Sequence, residues 1–198
     1  FKQALSSSSA LTINAFYREM RDMIQYTRVA FAFPQEYFTY GNIDFGTVKG
    51  LSLAYEMRRT KNVSLNANYT MQFADGSGSS ATSGANIVTS EQPNLRTTLP
   101  LDYDQRHNLT ASVDYRYGSG KNYNGPLLNG KQIFANMGVN LVATAGSGTP
   151  YSQQKNVTRE AMFGINDRDY LDGSINGSRL PWTYRLDMRL NKSFDITW

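Results

Sequence analysis

Three ionisable side chains near the middle of the chain could form a hydrolytic site. Asp102, Asp104 and His107 lie within one short segment, and a pair of carboxylates beside a histidine can activate a water molecule. Such a site needs further catalytic groups elsewhere on the fold, and the same residues also suit a structural role at the start of a strand. We therefore expect His107 to be a hydrogen-bonded structural residue and the protein not to be an enzyme.

Two further segments resemble ligand-binding motifs. Residues 125–131 match the first positions of a phosphate-binding loop, but Gln132 replaces the Ser or Thr that would bind magnesium, so we expect turns there. In residues 166–173, Leu171 occupies a position where a calcium loop needs an oxygen ligand. An Asx-rich turn is favoured there, and calcium binding by Asp167, Asp169 and Asp172 stays open.

Composition excludes several classes of site. The 198 residues include no cysteine and one histidine, which removes disulfides, thiolate chemistry and paired histidine ligands. The net charge of +4 is too small to indicate nucleic-acid binding. We predict no cofactor. No stretch of about 18 apolar residues is present, which excludes a transmembrane helix but not a β-barrel, where only alternate residues are apolar.

Alternation of apolar and polar residues predicts an all-β chain. Residues 63–73 alternate without a break, which is longer than the usual strand of about 5–6 residues and matches the roughly 9–11 needed to cross a bilayer. The same pattern, interrupted once at Val142, recurs in residues 11–17, 51–58, 109–117, 136–144 and 184–191.

The predicted connections differ in length. Residues 59–62 form a minimal turn, whereas residues 74–106 and 146–182 are long, so short turns and long loops are expected on opposite rims. The connection 118–132 is of medium length and fits this rule less well. Residues 74–90 contain almost no large apolar side chains, which predicts a mobile external loop.

The polar face of the strands carries amides, hydroxyls and charges of both signs, which a protein core would not accept. Alternation alone also fits a soluble sandwich, but strand length and exposed tyrosines favour a membrane barrel with an apolar outer face and a hydrated lumen. Aromatic residues in or near loops (Tyr103, Tyr123, Tyr151, Tyr170 and Trp182) could contact ligands or anchor at the headgroup level. The candidate lumen and ligand-facing residues are Asn66, Asn68, Gln72, Asp114, Arg116, Arg185 and Arg189.

Four segments resemble strands of TonB-dependent outer-membrane receptors, particularly the Bacteroidota type that includes Oar-like proteins. The most specific is residues 99–107, Leu-Pro-Leu-Asp-Tyr-Asp-Gln-Arg-His, which is similar to the "P.D.DqrH" start of a descending strand. In residues 42–53, Ser52 stands where that family commonly has an acidic residue. The other two segments are residues 13–24, similar to "FY+.i.d.I", and residues 184–194, similar to "lDlrl.K.F".

The resemblance implies an antiparallel transmembrane β-barrel wall in the outer membrane of a Gram-negative bacterium. About six strands are visible, whereas such receptors have 22 and the smallest membrane barrel needs about 8. Residues 1–198 are therefore expected to be part of a larger barrel, unless further strands lie in residues 30–41 and 121–134. The implied partners are outer-membrane lipid, TonB through an N-terminal plug that is not recognised in this sequence, and a surface lipoprotein or other outer-membrane complex.

The functional prediction is transport, in which a wall segment of a TonB-dependent receptor helps to import or dock a bulky ligand. Substrate would contact the two long loops and the lumen residues. Two alternatives remain open at this point. One is a passive porin or secretion-associated barrel, and the other is a soluble carbohydrate-binding β-sandwich.

Overall fold

A computed structural model describes residues 1–155 and 171–194, and almost all of its regular structure is antiparallel β. One short α-helix and a single 3₁₀ turn at Gly120–Asn122 complete the described elements. The elements are β1 (Lys2–Ala4), β2 (Ser9–Val29), β3 (Tyr37–Thr60), β4 (Val63–Gly76), α1 (Ala85–Thr89), β5 (Leu99–Pro100), β6 (His107–Arg116), β7 (Met137–Gly146), β8 (Pro150–Tyr151), β9 (Ser178–Arg179) and β10 (Thr183–Lys192).

The long strands form one sheet in which neighbours in sequence are neighbours in space. Its order is β1-β2-β3-β4-β6-β7-β10, with β5 added beside β4, while β8 and β9 form a separate two-stranded ribbon. Every alternating segment of the sequence lies within one of these long strands, apart from Tyr117 and Asn136, which lie one residue beyond β6 and one residue before β7. The predicted all-β, antiparallel architecture is therefore confirmed.

The strand register aligns the apolar side chains across the sheet. Leu65 on β4 lies opposite Val113 on β6, which lies opposite Leu141 on β7 and then Met188 on β10. Directly opposed residues of paired strands project from the same face. The aliphatic residues thus form one continuous face, which we call the apolar face, and the hydroxyl, amide and charged residues form the opposite, polar face.

No second layer covers the apolar face within the described residues. The buried apolar residues among the described residues are Ala74, Val88 and Leu101. None of the three belongs to the aligned aliphatic rows. On β10, Leu186 is 70% exposed and Met188 is 67% exposed. A two-sheet sandwich would bury these side chains between its layers. The described residues therefore form one main sheet without the second layer that a sandwich has. None of the described helices is long and apolar enough to cross a membrane.

The predicted hidden strands are not present as separate strands. Residues 37–41 belong to β3, which is 24 residues long. Residues 121–134 contain the end of the 3₁₀ turn and an isolated bridge between Leu128 and Lys131, but no strand. Strand β2 also continues to Val29, through register shifts between Met20 and Met23 and between Met23 and Ile24. These bulges interrupt the period-two pattern, which is why the sequence understates both strands.

The connections separate onto two rims. The turns at residues 5–8 and 61–62 and the connection 117–136 lie at one end of the strands. The connections 30–36 and 77–106, and the described residues 147–155 and 171–182, lie at the other end. Lys61 adopts a positive φ of 57°, as a tight two-residue turn requires. The end of the sheet with the long connections is called the loop rim below.

Candidate functional site

The polar side chains selected from the sequence share one face of the sheet. Asn68 opposes Thr110, and Asp114 opposes Asn140, which in turn opposes Arg189. By the same register, Asn66, Gln72, Arg116 and Arg185 lie on this face. Their contact with a ligand stays a prediction, but their shared orientation makes such a contact geometrically possible.

Two of these side chains are held by exposed ion pairs. Arg59 pairs with Asp114, and Arg185 Nε lies 2.8 Å from Asp187 Oδ2. Exposed pairs of this kind contribute about 0–1 kcal/mol to stability. These charges therefore do little to hold the sheet together, and they can exchange partners with a ligand at small cost.

The segment predicted to be a mobile loop instead folds over the polar face of β2 and β3. The amide of Tyr26 donates to the Ala81 carbonyl at 2.7 Å, and the amide of Ser77 donates to the Phe45 carbonyl at 3.0 Å. Helix α1 buries Val88, which is 1% exposed. The prediction considered only the apolar groups of the segment, whereas the structure shows that polar groups of the neighbouring strands also form contacts with it.

A buried amide–carboxylate pair anchors the first part of this segment. We call this part, residues 77–84, the serine loop. Gln25 Nε2 donates to Asp44 Oδ2 at 2.8 Å and to Ser83 Oγ at 2.9 Å. Ser77 Oγ donates to Asp44 Oδ1 at 2.9 Å. The register shifts in β2 and β3 leave Gln25 and Asp44 on the polar face, where the loop covers them.

Gly78 allows the serine loop to approach Asp44 closely. A Cβ atom at Gly78 would lie 2.0 Å from Asp44 Oδ2 and 2.8 Å from Gln25 Nε2. We expect Gly78→Ala to displace the loop at a cost of about 1–3 kcal/mol, as overpacking usually does. Hydrogen exchange of residues 77–84 should be markedly faster in the variant.

Gly84 provides the matched control in the same segment. A Cβ atom there has its closest neighbours at 3.7 Å, which is ordinary van der Waals contact, and the backbone φ is −97°. We expect Gly84→Ala to leave exchange unchanged or slightly slower, since it restricts the unfolded chain. Equal acceleration by both substitutions would contradict the close approach at Gly78.

Asp104, from the possible hydrolytic cluster, is completely buried and has a structural environment. Its Oδ1 accepts a hydrogen bond from the Ala74 amide at 2.9 Å, and its carboxylate forms an ion pair with Arg179. Arg179 Nη1 also donates to the Asp104 carbonyl at 2.7 Å. Arg106 Nε lies 3.6 Å from Asp104 Oδ2 and is buried without a hydrogen-bond partner.

The same segment connects the two long loops. Asn176 Nδ2 donates to Asp102 Oδ1 at 2.7 Å and to the Pro100 carbonyl at 2.9 Å. Gln105 Nε2 donates to the Ser147 carbonyl at 3.0 Å. Residues 100–106, which we call the loop clamp, therefore link the connection that follows β4 to the connection that follows β7.

His107 lies away from the Asp104 carboxylate, in a stack of aromatic rings at the loop rim. Its Nδ1 is 2.8 Å from Tyr69 Oη, and its ring stacks on Trp182 with centroids 5.5 Å apart. Trp182 in turn stacks on Tyr184 at 6.1 Å. Tyr69 and Tyr184 belong to rows of the apolar face, so this aromatic stack lies at one end of that face. His107 is hydrogen-bonded, as predicted.

A second aromatic cluster lies at the opposite end of the apolar face. Tyr117 has ring centroids 5.1 Å from Tyr115, 5.9 Å from Tyr123 and 6.1 Å from Phe134. The aliphatic rows that include Leu65 lie between the two aromatic groups. Aliphatic residues flanked by aromatic belts are the arrangement that a bilayer and its two interfaces favour.

The remaining loop aromatics differ in their environment. Tyr123 Oη donates to the Pro126 carbonyl at 2.6 Å, which gives that ring a local structural role. Tyr103 and Tyr151 are partly exposed, and burial raises the pKa of the Tyr103 phenol. Tyr170 lies outside the described residues.

The other predicted motifs do not form ligand cradles in the described residues. Asn129 and Gly130 have φ values of 50° and 73° between the bridged residues Leu128 and Lys131, which forms a tight turn of the kind predicted. Asp167 and Asp169 lie outside the described residues, so the calcium hypothesis is not tested. Asp172 Oδ2 accepts a hydrogen bond from Gln153 Nε2 at 3.4 Å.

A polar cavity of about 290 Å³ lies between the serine loop, the loop clamp and the polar face. We call it the loop cavity. It was not predicted, because it depends on the folding of the serine loop over Gln25 and Asp44. Its polar lining comprises Gln25, Asp44, Ser77, Ser79, Ser80, Thr82, Ser83, Asn94, Asp102, Ser152 and Asn176.

The fold is similar to that of a known membrane protein. The outer membrane transporter YddB from Escherichia coli superposes with a TM-score of 0.57 over 96% of this chain, at 13% sequence identity. The match covers 24% of the transporter's own chain, so this chain spans about a quarter of its length. No protein-family model and no curated protein sequence matches the chain. The similarity assigns the sheet to the architecture of an outer-membrane β-barrel wall.

Proposed function

We propose that the chain forms part of the wall of an outer-membrane transporter, and specifically of a TonB-dependent receptor that imports or docks a bulky ligand. The observation that carries this proposal is the exposed aliphatic face with aromatic clusters at both ends. In water such a face would be a large aggregation-prone patch, whereas lipid solvates it. The fold similarity to an outer membrane transporter supports the same role.

This orientation assigns a role to each surface. The apolar face contacts outer-membrane lipid, the polar face borders a hydrated lumen, and the loop rim faces the cell exterior, where barrels carry their long loops. Ligand contacts then fall to the long loops and to lumen residues such as Asn66, Asp114 and Arg189. No residue is catalytic in this proposal.

The TonB-dependent class is supported by sequence and by the contacts of one motif. Residues 99–107 resemble a recurring element of that family, and their side chains form the loop clamp. Energy coupling would require TonB acting through an N-terminal plug, and docking of a bulky ligand could involve a surface lipoprotein or another outer-membrane complex. The Bacteroidota type rests on the sequence motifs alone.

Reconstitution of the full polypeptide separates a plugged receptor from a passive porin. A receptor with its plug in place should give no steady KCl conductance in a planar bilayer and should bind the purified periplasmic domain of TonB. A porin or secretion barrel lacks the plug and would conduct without binding TonB. Conductance that appears only after deletion of the plug would support the receptor, whereas steady conductance of the intact protein would contradict it.

A further inference from the structure

The loop cavity contains a buried carboxylate that has no basic partner in the described part of the chain. Asp44 is 4% exposed, and the ion pairs found among the described residues do not include it. Burying a carboxylate is costly unless hydrogen bonds and an opposite charge compensate. Gln25 and Ser77 supply hydrogen bonds to Asp44 but no charge.

Four of the groups that line the cavity already use their donors within the protein. Both hydrogens of the Gln25 amide are used, on Asp44 and Ser83, and both hydrogens of the Asn176 amide are used, on Asp102 and the Pro100 carbonyl. The Ser77 and Ser83 hydroxyls donate to Asp44 and to the Ser80 carbonyl. The unused capacity of these four groups consists of acceptor lone pairs, whereas the hydroxyls of Ser79, Ser80 and Thr82 donate to no group in the described hydrogen bonds, so the lining suits a ligand that offers donors to the carboxylates and hydroxyl groups to the serines.

Charge and size define the ligand further. The described lining contains the carboxylates of Asp44 and Asp102 and no lysine, arginine or histidine. A cavity of about 290 Å³ is far larger than a bare metal ion needs and is close to the lower limit for small-molecule sites. These observations favour an organic ligand with a compact positive charge.

We propose that the loop cavity binds a small organic cation that carries a primary ammonium group, with Asp44 as its counter-ion and Asp102 as a second acceptor. An ammonium group has three N–H donors and a positive charge, which complement the free lone pairs and the negative charge of the Asp44 and Asp102 carboxylates. The inference deepens the proposed function, because it names a ligand class for the loop rim of the transporter. Binding at this site does not itself require transport.

Paired probe molecules test the charge directly. Glucosamine and glucose have nearly the same shape, but at a pH below the pKa of its amine only glucosamine is a cation. Isothermal titration calorimetry on the full polypeptide in detergent should show glucosamine binding at least about tenfold tighter than glucose. Calcium chloride serves as the inorganic arm, and we expect it to bind no tighter than glucose does.

Substitutions then locate the site. Asp44→Asn removes the charge with little change in shape and should abolish the preference for glucosamine, whereas Asp187→Asn, on an exposed part of β10, should preserve it.

Thr82 lines the cavity at an exposed position, so Thr82→Lys can introduce an internal ammonium group. This variant should lose glucosamine binding and gain thermal stability, whereas Thr82→Met, which is of similar length but carries no charge, should not gain thermal stability.

Each outcome decides the proposal. Equal affinity for the two sugars, tighter binding of calcium, or an unchanged preference in both Asp44→Asn and Thr82→Lys would overturn it. The Thr82 pair keeps the test valid even if Asp44→Asn does not fold. A protein that binds glucosamine through Asp44 yet conducts KCl steadily would refute the TonB-dependent function while leaving the cation site standing.

Discussion

The variant Leu65→Arg should lose about 2–4 kcal/mol of folding free energy in a lipid bilayer, because it places a charge on the membrane-facing side near mid-bilayer depth. Leu65 is level with Val113 and Leu141 on the neighbouring strands and lies between the two aromatic clusters. A guanidinium there must extend past the row of Val63 and Tyr115, two residues along the strand, to reach the nearer interface. The measurement is equilibrium urea unfolding in phospholipid vesicles.

The adjacent residue provides the control. Asn66 projects from the polar face opposite Glu56 and Ser112. Asn66→Arg should therefore cost much less, since its charge enters the hydrated lumen. Leu53→Arg should cost less than Leu65→Arg, because Leu53 on β3 lies opposite Tyr69 and is therefore level with the aromatic stack at the loop rim. Similar penalties at positions 65 and 66 would show that neither face meets hydrocarbon, and would refute the proposed orientation.

The two faces of the sheet could be predicted because each strand encodes them locally. In residues 63–73 the alternation directly specifies which side chains share a face, and pairing neighbouring strands by their apolar residues fixes which faces coincide, as the observed register shows. The pattern fails where bulges occur. Between Met20 and Ile24 the pairing shifts twice, and Asp22 adopts a positive φ of 55°. No period-two rule anticipates such a shift, so β2 seemed shorter than it is.

The serine loop and the loop cavity could not be predicted for a different reason. Their order depends on contacts between residues far apart in sequence, such as the bond from Gln25 to Ser83, and an isolated segment carries no signal for its distant partner. The one local clue to the loop cavity is that the polar residues Gln25 and Asp44 occur in strand segments. Likewise, the structural role of Asp104 was predicted, but its partner Arg179 lies 75 residues away and could not be identified.

Asp104→Ala should release both long loops from the sheet while leaving the sheet itself intact. The carboxylate is fully buried, pairs with Arg179, lies close to Arg106 and accepts the Ala74 amide. Removing one member of a buried ion pair typically costs about 3–5 kcal/mol, because the other charge is left without a partner. Hydrogen exchange in residues 77–106 and 171–182 should therefore be faster by about two to three orders of magnitude.

Asp102 supplies a control within the same segment, because its exposed side chain accepts only the Asn176 amide among the described contacts. Asp102→Asn should cost about 0.5–1.5 kcal/mol, the usual value of a single hydrogen bond. Arg179→Met should open the loops less than Asp104→Ala does, since Arg106 still faces the remaining carboxylate. Because Asp104 and Arg179 share one interaction, the double variant should cost less than the sum of the single variants. Additive effects would show that the two loops are held independently, and that the ion pair does not clamp them together.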